Sequence, residues 1–185
     1  MPLPASTVDR KLLHTRRIVC EGYERADGLY DIEGWLTDVK DYPQPAVERG
    51  LIPAGEPMHG MGLRVTVDAA FMIHDVVAVM DHVPTSICGS VIPNFKRLIG
   101  VNMTSGFRQK VKALLGHTEG CTHLIDLLGL LATVAYQSII AKGPRPGATD
   151  KPPRQMNSCR GWAQDGPIVR IAYPQWAKTG DSPER

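Results

Sequence analysis

The chain lacks the features that would assign it to several common functional classes. Its 21 Lys and Arg residues are nearly balanced by 19 Asp and Glu residues, so no basic surface for a nucleic-acid backbone is expected. Its longest apolar run, residues 127–136, is well short of the roughly 20 residues that cross a membrane. The N-terminus also lacks the charged-then-apolar pattern of a signal peptide. These absences predict a cytoplasmic protein that binds neither nucleic acid nor a membrane.

Paired cysteines and the common nucleotide or nucleophile motifs are absent as well. The four cysteines contain no C-x-x-C pair, which argues against a zinc ribbon or a redox dithiol. We therefore expect free thiols in a reducing compartment. No G-x-S-x-G, P-loop or G-x-G-x-x-G motif occurs, which argues against a serine hydrolase, an NTPase and a Rossmann enzyme.

Alternating apolar residues in the first half of the chain predict antiparallel strands. An Asp27-Gly28 pair between two such runs is typical of a hairpin turn. Four prolines and three glycines between residues 42 and 60 predict an irregular excursion between two hairpins. The predicted strands, in meander order, span residues 16–25, 29–40, 62–67 and 72–80.

The second half of the chain changes to the helical period of about 3.6 residues. Its strongest pattern spans residues 122–141, where an apolar stripe is suited to packing on a sheet. A Pro/Gly-rich stretch from residue 143 predicts a linker, and residues 167–171 are interpreted as a short edge strand. We predict an α+β fold in residues 1–142, with a four-stranded meander sheet packed by C-terminal helices. Residues 143–185 are expected to form an irregular Pro-rich extension that docks back on that domain.

Three potentially reactive side chains, His117, Cys121 and His123, lie at the start of the strongest helix. A helix N-terminus stabilises a thiolate and keeps a nearby histidine neutral, so the segment is suited to binding a metal, polarising a substrate or capping the helix. Their spacing is poor for one metal ion, which would need further donors such as His59 or Cys159. A structural role for Cys121, as a small buried residue, is the simpler interpretation.

Asp38, Lys40 and His59 are the candidates for proton transfer. Asp38 and Lys40 lie on one otherwise apolar face of the second predicted strand, which indicates a sheet that lines a cavity at one end. If they are buried together, each shifts the pKa of the other; a surface ion pair is the alternative. His59 lies in the Pro/Gly-rich excursion, and histidine is the side chain best suited to proton transfer at neutral pH.

Cationic, acidic and aromatic side chains on the same two strands are candidates for contacts with a ligand. The segment His14-Thr15-Arg16-Arg17 presents two fixed cations, and an arginine fork suits a carboxylate or phenolate. A basic strand edge that deters aggregation is the alternative. Aromatic rings on paired strands either stack on an aromatic ligand or serve as core. Including a histidine from the helix start, the candidates are Arg17, Tyr23, Tyr30, Glu33, Trp35 and His123.

Five short motifs follow one another along the chain. They are HTRR at residues 14–17, DGLYDIEG at 27–34, TDVK at 37–40, GEPMH at 55–59 and GCTHL at 120–124. Taken together, from about residue 11 to residue 176, they resemble a bacterial family of unknown function, DUF2889. The longer Pro-rich segment around residues 144–153 departs from the pattern of that family.

The resemblance implies a cofactor-independent lyase that releases formaldehyde from lignin-derived aromatic dimers, in bacteria that degrade aromatic compounds. No metal or organic cofactor is then expected. Under this interpretation His59 or Asp38 takes a hydroxyl proton, while Arg17, Lys40 or Tyr30 stabilises the phenolate that accepts the electrons.

Two other functions stay open. One is a non-catalytic module that binds an aromatic ligand, and the other is a metal-dependent enzyme that uses His59, Cys121 and His123. The expected partner is a small aromatic molecule in each of the ligand-binding cases. Self-association into a homo-oligomer is left open by the sequence.

Overall fold

A computed structural model describes residues 3–140 and 151–178 of the chain. The chain divides into two compact units, Met1–Ala141 and Lys142–Arg185. The first unit contains the sheet and the long helices. The second contains short helical segments.

An antiparallel sheet of four long strands organises the first unit. The strands are β1 (His14–Glu24), β2 (Tyr30–Lys40), β5 (Pro57–Val67) and β6 (Ile73–His82), in the spatial order β1-β2-β5-β6. The meander predicted from the sequence is therefore confirmed. Two short strands, β3 (Gln44–Ala46) and β4 (Gly50–Ile52), pair with each other in a separate small sheet.

The first hairpin turns where the sequence predicts, and this fixes the register of the sheet. Gly28 has a φ of 83°, a left-handed conformation that suits glycine. The turn is closed by a hydrogen bond from the Arg25 amide to the Leu29 carbonyl at 2.9 Å. Pairing then continues to the other end of the hairpin, where His14 lies opposite Lys40.

Helices cover one face of the sheet. A 3₁₀ segment (Ser86–Leu98) is followed by α1 (Phe107–Leu115), a 3₁₀ turn (His117–Glu119) and α2 (Thr122–Ile140). The helix α2 packs closely on β2, because a Cβ added at Gly34 would lie 2.8 Å from a Leu131 methyl group. The α+β fold is thus confirmed. The core contributed by α2 consists of Leu124, Leu127, Leu128, Leu131, Ala135 and Ile139.

The apolar sequence of α2 is compatible with two kinds of helix, one that spans a membrane and one that packs in a protein core. By length and composition alone, Thr122–Ile140 is apolar enough to cross a membrane. A helix buried in a protein core passes the same test. Here one face of α2 supplies six buried residues to the core against the sheet, and 33% of the apolar window is buried.

Two local predictions from the sequence are wrong. The excursion over residues 42–60 is not wholly irregular, since it contains β3 and β4 and the start of β5 at Pro57. The predicted edge strand at residues 167–171 is instead a short helix, α3 (Pro167–Ala172), with 3₁₀ turns before it (Arg160–Trp162) and after it (Pro174–Trp176). Proline is favoured at the first position of a helix, because its fixed φ is helical and its missing amide donor is not needed there.

Candidate functional site

The sheet register places three polar side chains in one row across β1, β2 and β5. Arg16 lies opposite Asp38 on one side, and His59 lies opposite Asp38 on the other. Directly opposed side chains in an antiparallel sheet have Cβ atoms only about 5 Å apart. The register shifts after Asp38, so the row stands beside a β-bulge near one end of the sheet.

The start of α2 adds a second imidazole to this row. The rings of His59 and His123 have centroids 4.0 Å apart, and His123 Nε2 lies 3.7 Å from Asp38 Oδ2. On its other side, His123 Nδ1 lies 3.8 Å from the Cys121 sulfur. The segment from the loop into α2 therefore contributes a wall of the site.

Asp38 is the centre of the cluster and is 2% exposed. The Arg16 guanidinium donates to it twice, from Nε to Oδ1 and from Nη2 to Oδ2, both at 2.8 Å. His14 Nε2 donates to Oδ1 at 2.9 Å, and His59 Nδ1 donates to Oδ2 at 3.0 Å. Four donors therefore converge on the two oxygens, which meets the demand of a buried carboxylate for hydrogen bonds.

These contacts fix the charge of Asp38. Burial acts to raise the pKa of the carboxyl, but hydrogen bonds from Arg16 and His14 and the guanidinium charge outweigh it. The pKa of Asp38 consequently lies well below its usual range. Asp38 is thus a carboxylate throughout the neutral range, and it only accepts hydrogen bonds.

The two adjacent imidazoles are neutral in the same range. Burial is the main cause that lowers the pKa of His59, and the adjacent His123 lowers it further, although Asp38 acts in the opposite direction. Burial and then the Arg16 charge lower the pKa of His123. Because Asp38 can only accept, the proton of neutral His59 is on Nδ1, and its Nε2 carries a free lone pair.

Lys40 joins the cluster through His14. Its Nζ donates to His14 Nδ1 at 3.2 Å, while the opposite ring nitrogen of His14 donates to Asp38. A relay thus runs from the ammonium through one imidazole to the buried carboxylate. Lys40 also stands 6.0 Å from the centroid of the Tyr42 ring.

The structure brings together four of the residues selected from the sequence, namely Asp38, Lys40, His59 and His123. The others lie elsewhere because side chains alternate between the two faces of a strand. Tyr30 shares the face of Asp38 but is eight residues along β2, about 27 Å away at roughly 3.4 Å per residue. The residues on the opposite face of the sheet are Arg17, Tyr23, Glu33 and Trp35.

Three of these side chains, Tyr23, Glu33 and Trp35, have partners on the opposite face. Tyr23 donates to Glu21 at 2.8 Å, and Glu33 lies 3.7 Å from Arg64. The Trp35 ring covers Gly62, where an added Cβ would lie 2.5 Å from it. None of these contacts reaches the Asp38 cluster.

His14 and Arg16 are the site residues that the sequence prediction missed. It chose Arg17 from the motif His14-Thr15-Arg16-Arg17, yet Arg16 is the residue that faces Asp38. The signal was available in the sequence. A hairpin centred on Asp27 pairs residues whose numbers sum to 54, and this rule pairs Arg16 with Asp38 and His14 with Lys40.

Asp38, His59 and His123 are also the residues of this site that could hold a metal ion. One donor atom from each lies within 4.8 Å of the others. The sequence prediction for a metal centre named Cys121 in place of Asp38. Within the described residues, the three possible metal ligands that lie close together include Asp38 and not Cys121.

A cavity of about 410 Å³ lies between α1 and α2. Its lining residue Asp126 is the link to the cluster, since Asp126 Oδ2 is 3.9 Å from Arg16 Nη1. Its volume is in the range that holds a small organic ligand. The lining includes Phe107, Arg108, Val111, Ile125, Leu128 and Leu130.

Comparison with known families identifies the family of this chain. The family described as "Protein of unknown function (DUF2889)" matches residues 14–137, which include every residue of the cluster. The chain belongs to this family. Comparison with curated proteins and with solved structures gave no match. Membership of DUF2889 confirms the resemblance of the sequence motifs and assigns no reaction.

Neighbouring arginines offer a matched test of the cluster in this DUF2889 protein. Arg16→Gln removes the fork on Asp38, and leaving a buried charged acceptor short of donors is expected to cost about 1–3 kcal/mol of the free energy of unfolding. Arg17→Gln changes the same residue type on the other face and is expected to stay within about 0.5 kcal/mol. Urea unfolding of both variants measures the difference. Equal losses would contradict the assignment of Arg16 to the cluster.

The lowered pKa values predict how stability depends on pH. The pKa values of Asp38, His59 and His123 are each lower in the folded protein than in ordinary peptides, so the unfolded chain binds more protons as the pH falls. The free energy of unfolding should therefore fall first below about pH 6.5, from the histidines, and again below about pH 4, from Asp38. Urea unfolding midpoints measured across this pH range test the predicted dependence. In His59→Gln the loss of unfolding free energy below about pH 6.5 should be smaller than in the wild type. An unchanged loss would contradict a lowered pKa for His59 in the folded protein.

Proposed function

We propose that this protein is a lyase that cleaves a carbon-carbon bond by proton transfer and releases formaldehyde from a lignin-derived aromatic dimer. The observation that carries the proposal is the His59–Asp38 pair. A buried carboxylate holds Nδ1 of a neutral imidazole at 3.0 Å and leaves Nε2 free to accept a proton. A histidine held by a carboxylate in this way is the usual construction of a general base.

The reaction needs one base and one place for negative charge. His59 Nε2 takes the proton of the hydroxymethyl group, and the oxygen electron pair forms the C=O bond of formaldehyde. The electron pair of the broken C–C bond then forms a C=C bond between the carbon that carried the hydroxymethyl group and the adjacent ether carbon. The ether carbon loses its bond to the aryl oxygen, which leaves as a phenolate and then takes up one proton. Atoms and electrons balance without an oxidant or a reductant.

Each member of the cluster has a role in this scheme. Asp38 keeps the proton of His59 on Nδ1 and stabilises the imidazolium that forms when Nε2 is protonated. Arg16 keeps Asp38 ionised. Lys40, whose ammonium lies at the edge of the cluster, is the cation that stabilises the phenolate.

Substrate shape is the second support for the proposal. The 410 Å³ cavity beside Asp126 has mainly apolar walls, which suit an aromatic ring. Arg108 in the same lining offers a planar guanidinium for a phenolic or carboxylate group. The aromatic part of the substrate would lie there, with the hydroxymethyl group toward His59.

The proposal is tested with phenolic aryl ether dimers that carry a hydroxymethyl group on the carbon next to the ether carbon. Purified protein is mixed with each dimer, and formaldehyde is measured together with the absorbance of the conjugated product. Equal amounts of the two products are expected. A dimer that binds without releasing formaldehyde would instead support the alternative of a non-catalytic module for aromatic ligands.

A further inference from the structure

The groups around Asp38 have a second chemical capacity besides proton transfer. We infer that Asp38 Oδ2, His59 Nδ1 and His123 Nε2 form a binding site for a divalent transition-metal ion of the zinc class, and that the bound ion prevents His59 from acting as a base. The binding site rests on geometry alone. The effect on the base rests in addition on the proposed function.

The distances already approach those of a metal site. Two donors bound to one zinc ion at about 2.0–2.1 Å are roughly 3.3 Å apart in tetrahedral geometry. His59 Nδ1 and His123 Nε2 lie 3.0 and 3.7 Å from Asp38 Oδ2, values on either side of that separation. All three donor atoms lie within 4.8 Å of one another, so small side-chain rotations complete the set.

The donor chemistry selects the class of metal. Two imidazole nitrogens and one carboxylate oxygen suit Zn²⁺, Co²⁺ or Ni²⁺, whereas Mg²⁺ and Ca²⁺ prefer oxygen ligands throughout. The His59 and His123 side chains are 17% and 23% exposed, which gives an ion access from solvent. The fork of Arg16 on Asp38 places a positive charge beside the site. That charge weakens the binding of a cation at Asp38 Oδ2.

Metal binding changes the tautomer of His59. In the metal-free site the proton between His59 and Asp38 is on Nδ1, so Nε2 is the basic atom. An ion bound at Nδ1 replaces that proton, which moves to Nε2 if the ring stays neutral. Nε2 then has no lone pair for a substrate proton. In the metal-free structure His14 and Arg16 Nε donate to Oδ1, whereas Arg16 Nη2 donates to Oδ2, the proposed ligand atom.

Titration of the full chain with Co²⁺ or Zn²⁺, without substrate, tests the site. We expect one ion per chain, visible absorption from bound Co²⁺, and no competition by Mg²⁺. Affinity should fall at least tenfold in His123→Gln and in His59→Gln, each checked for a folded circular dichroism spectrum. It should be unchanged in His74→Gln, which alters an exposed His–Asp pair, and in Cys159→Ser, which removes an exposed thiol.

Two results would overturn the site. One is a metal affinity in both histidine variants equal to that of the wild type. The other is loss of metal binding in Cys159→Ser. The effect on the base is tested separately by formaldehyde release, which Zn²⁺ should abolish and a chelator restore. A rate that rises with Zn²⁺ would contradict inhibition while leaving the binding site intact, and the absence of formaldehyde in metal-free protein would count against the proposed lyase alone.

Discussion

Replacing Asp38 by Asn is expected to lower the rate of formaldehyde release by about 10⁴-fold, the scale seen when an orienting aspartate of a catalytic histidine is made neutral. Asparagine has nearly the same shape, but it adds an amide donor where four donors already converge. Its oxygen cannot hold His59 in the Nδ1–H form as firmly, and it has no charge to stabilise an imidazolium. The measurement is kcat for wild type and variant under saturating substrate.

Loss of stability must be separated from loss of chemistry in this variant. Asp68→Asn is the matched control, because Asp68 also contacts a histidine, His74, at 3.0 Å but in an exposed turn. It should keep a near-normal rate. Circular dichroism and the urea midpoint show whether Asp38→Asn is folded under the assay conditions. A folded Asp38→Asn protein with a near-normal rate would remove Asp38 from the mechanism.

Replacing His59 by Gln is expected to reduce the rate by a similar factor of about 10²–10⁴, the usual contribution of a general base. Glutamine can still donate an N–H to Asp38 from its amide, so the fold should be largely retained. It has no atom that takes up a proton at neutral pH. The expected loss is in kcat, with little change in the affinity for the aromatic part of the substrate.

His74→Gln is the control for this second variant, since it makes the same change in a histidine that lies outside the cluster. Rates of formaldehyde release are compared for the three proteins at one pH above the ordinary histidine range. A His59→Gln protein that turns over at the rate of His74→Gln would show that another group accepts the proton. The neighbouring His123 would then be the next candidate.

Much of the fold could be predicted because strong local signals agree with the tertiary structure. The Asp27-Gly28 turn set the hairpin, and the stripe of Leu residues in α2 identified the packing helix. Predictions failed where local signals were weak. The pair β3 and β4 has only three residues in each strand, too few for a periodic pattern, and α3 is a short helix in a Pro-rich context.

The candidate site was predictable in part for a related reason. Asp38 drew attention as a polar residue on an apolar face, and His59 as a histidine in a Pro/Gly-rich segment. Choosing Arg16 over Arg17 required the hairpin register as well as the motif. The approach of His123 to His59 depends on how α2 packs on the sheet, and no pattern in the sequence specifies that contact.

The central claim is that an ionised Asp38 holds neutral His59 with its proton on Nδ1 and its Nε2 free. Nitrogen-15 NMR of the histidine side chains in metal-free protein at neutral pH, with His59→Gln used to assign the signals, measures this directly. We predict a protonated Nδ1 and an unprotonated Nε2 for His59, with protonation of the ring only below its ordinary pKa. An imidazolium at neutral pH, or a proton on Nε2 instead of Nδ1, would contradict the account.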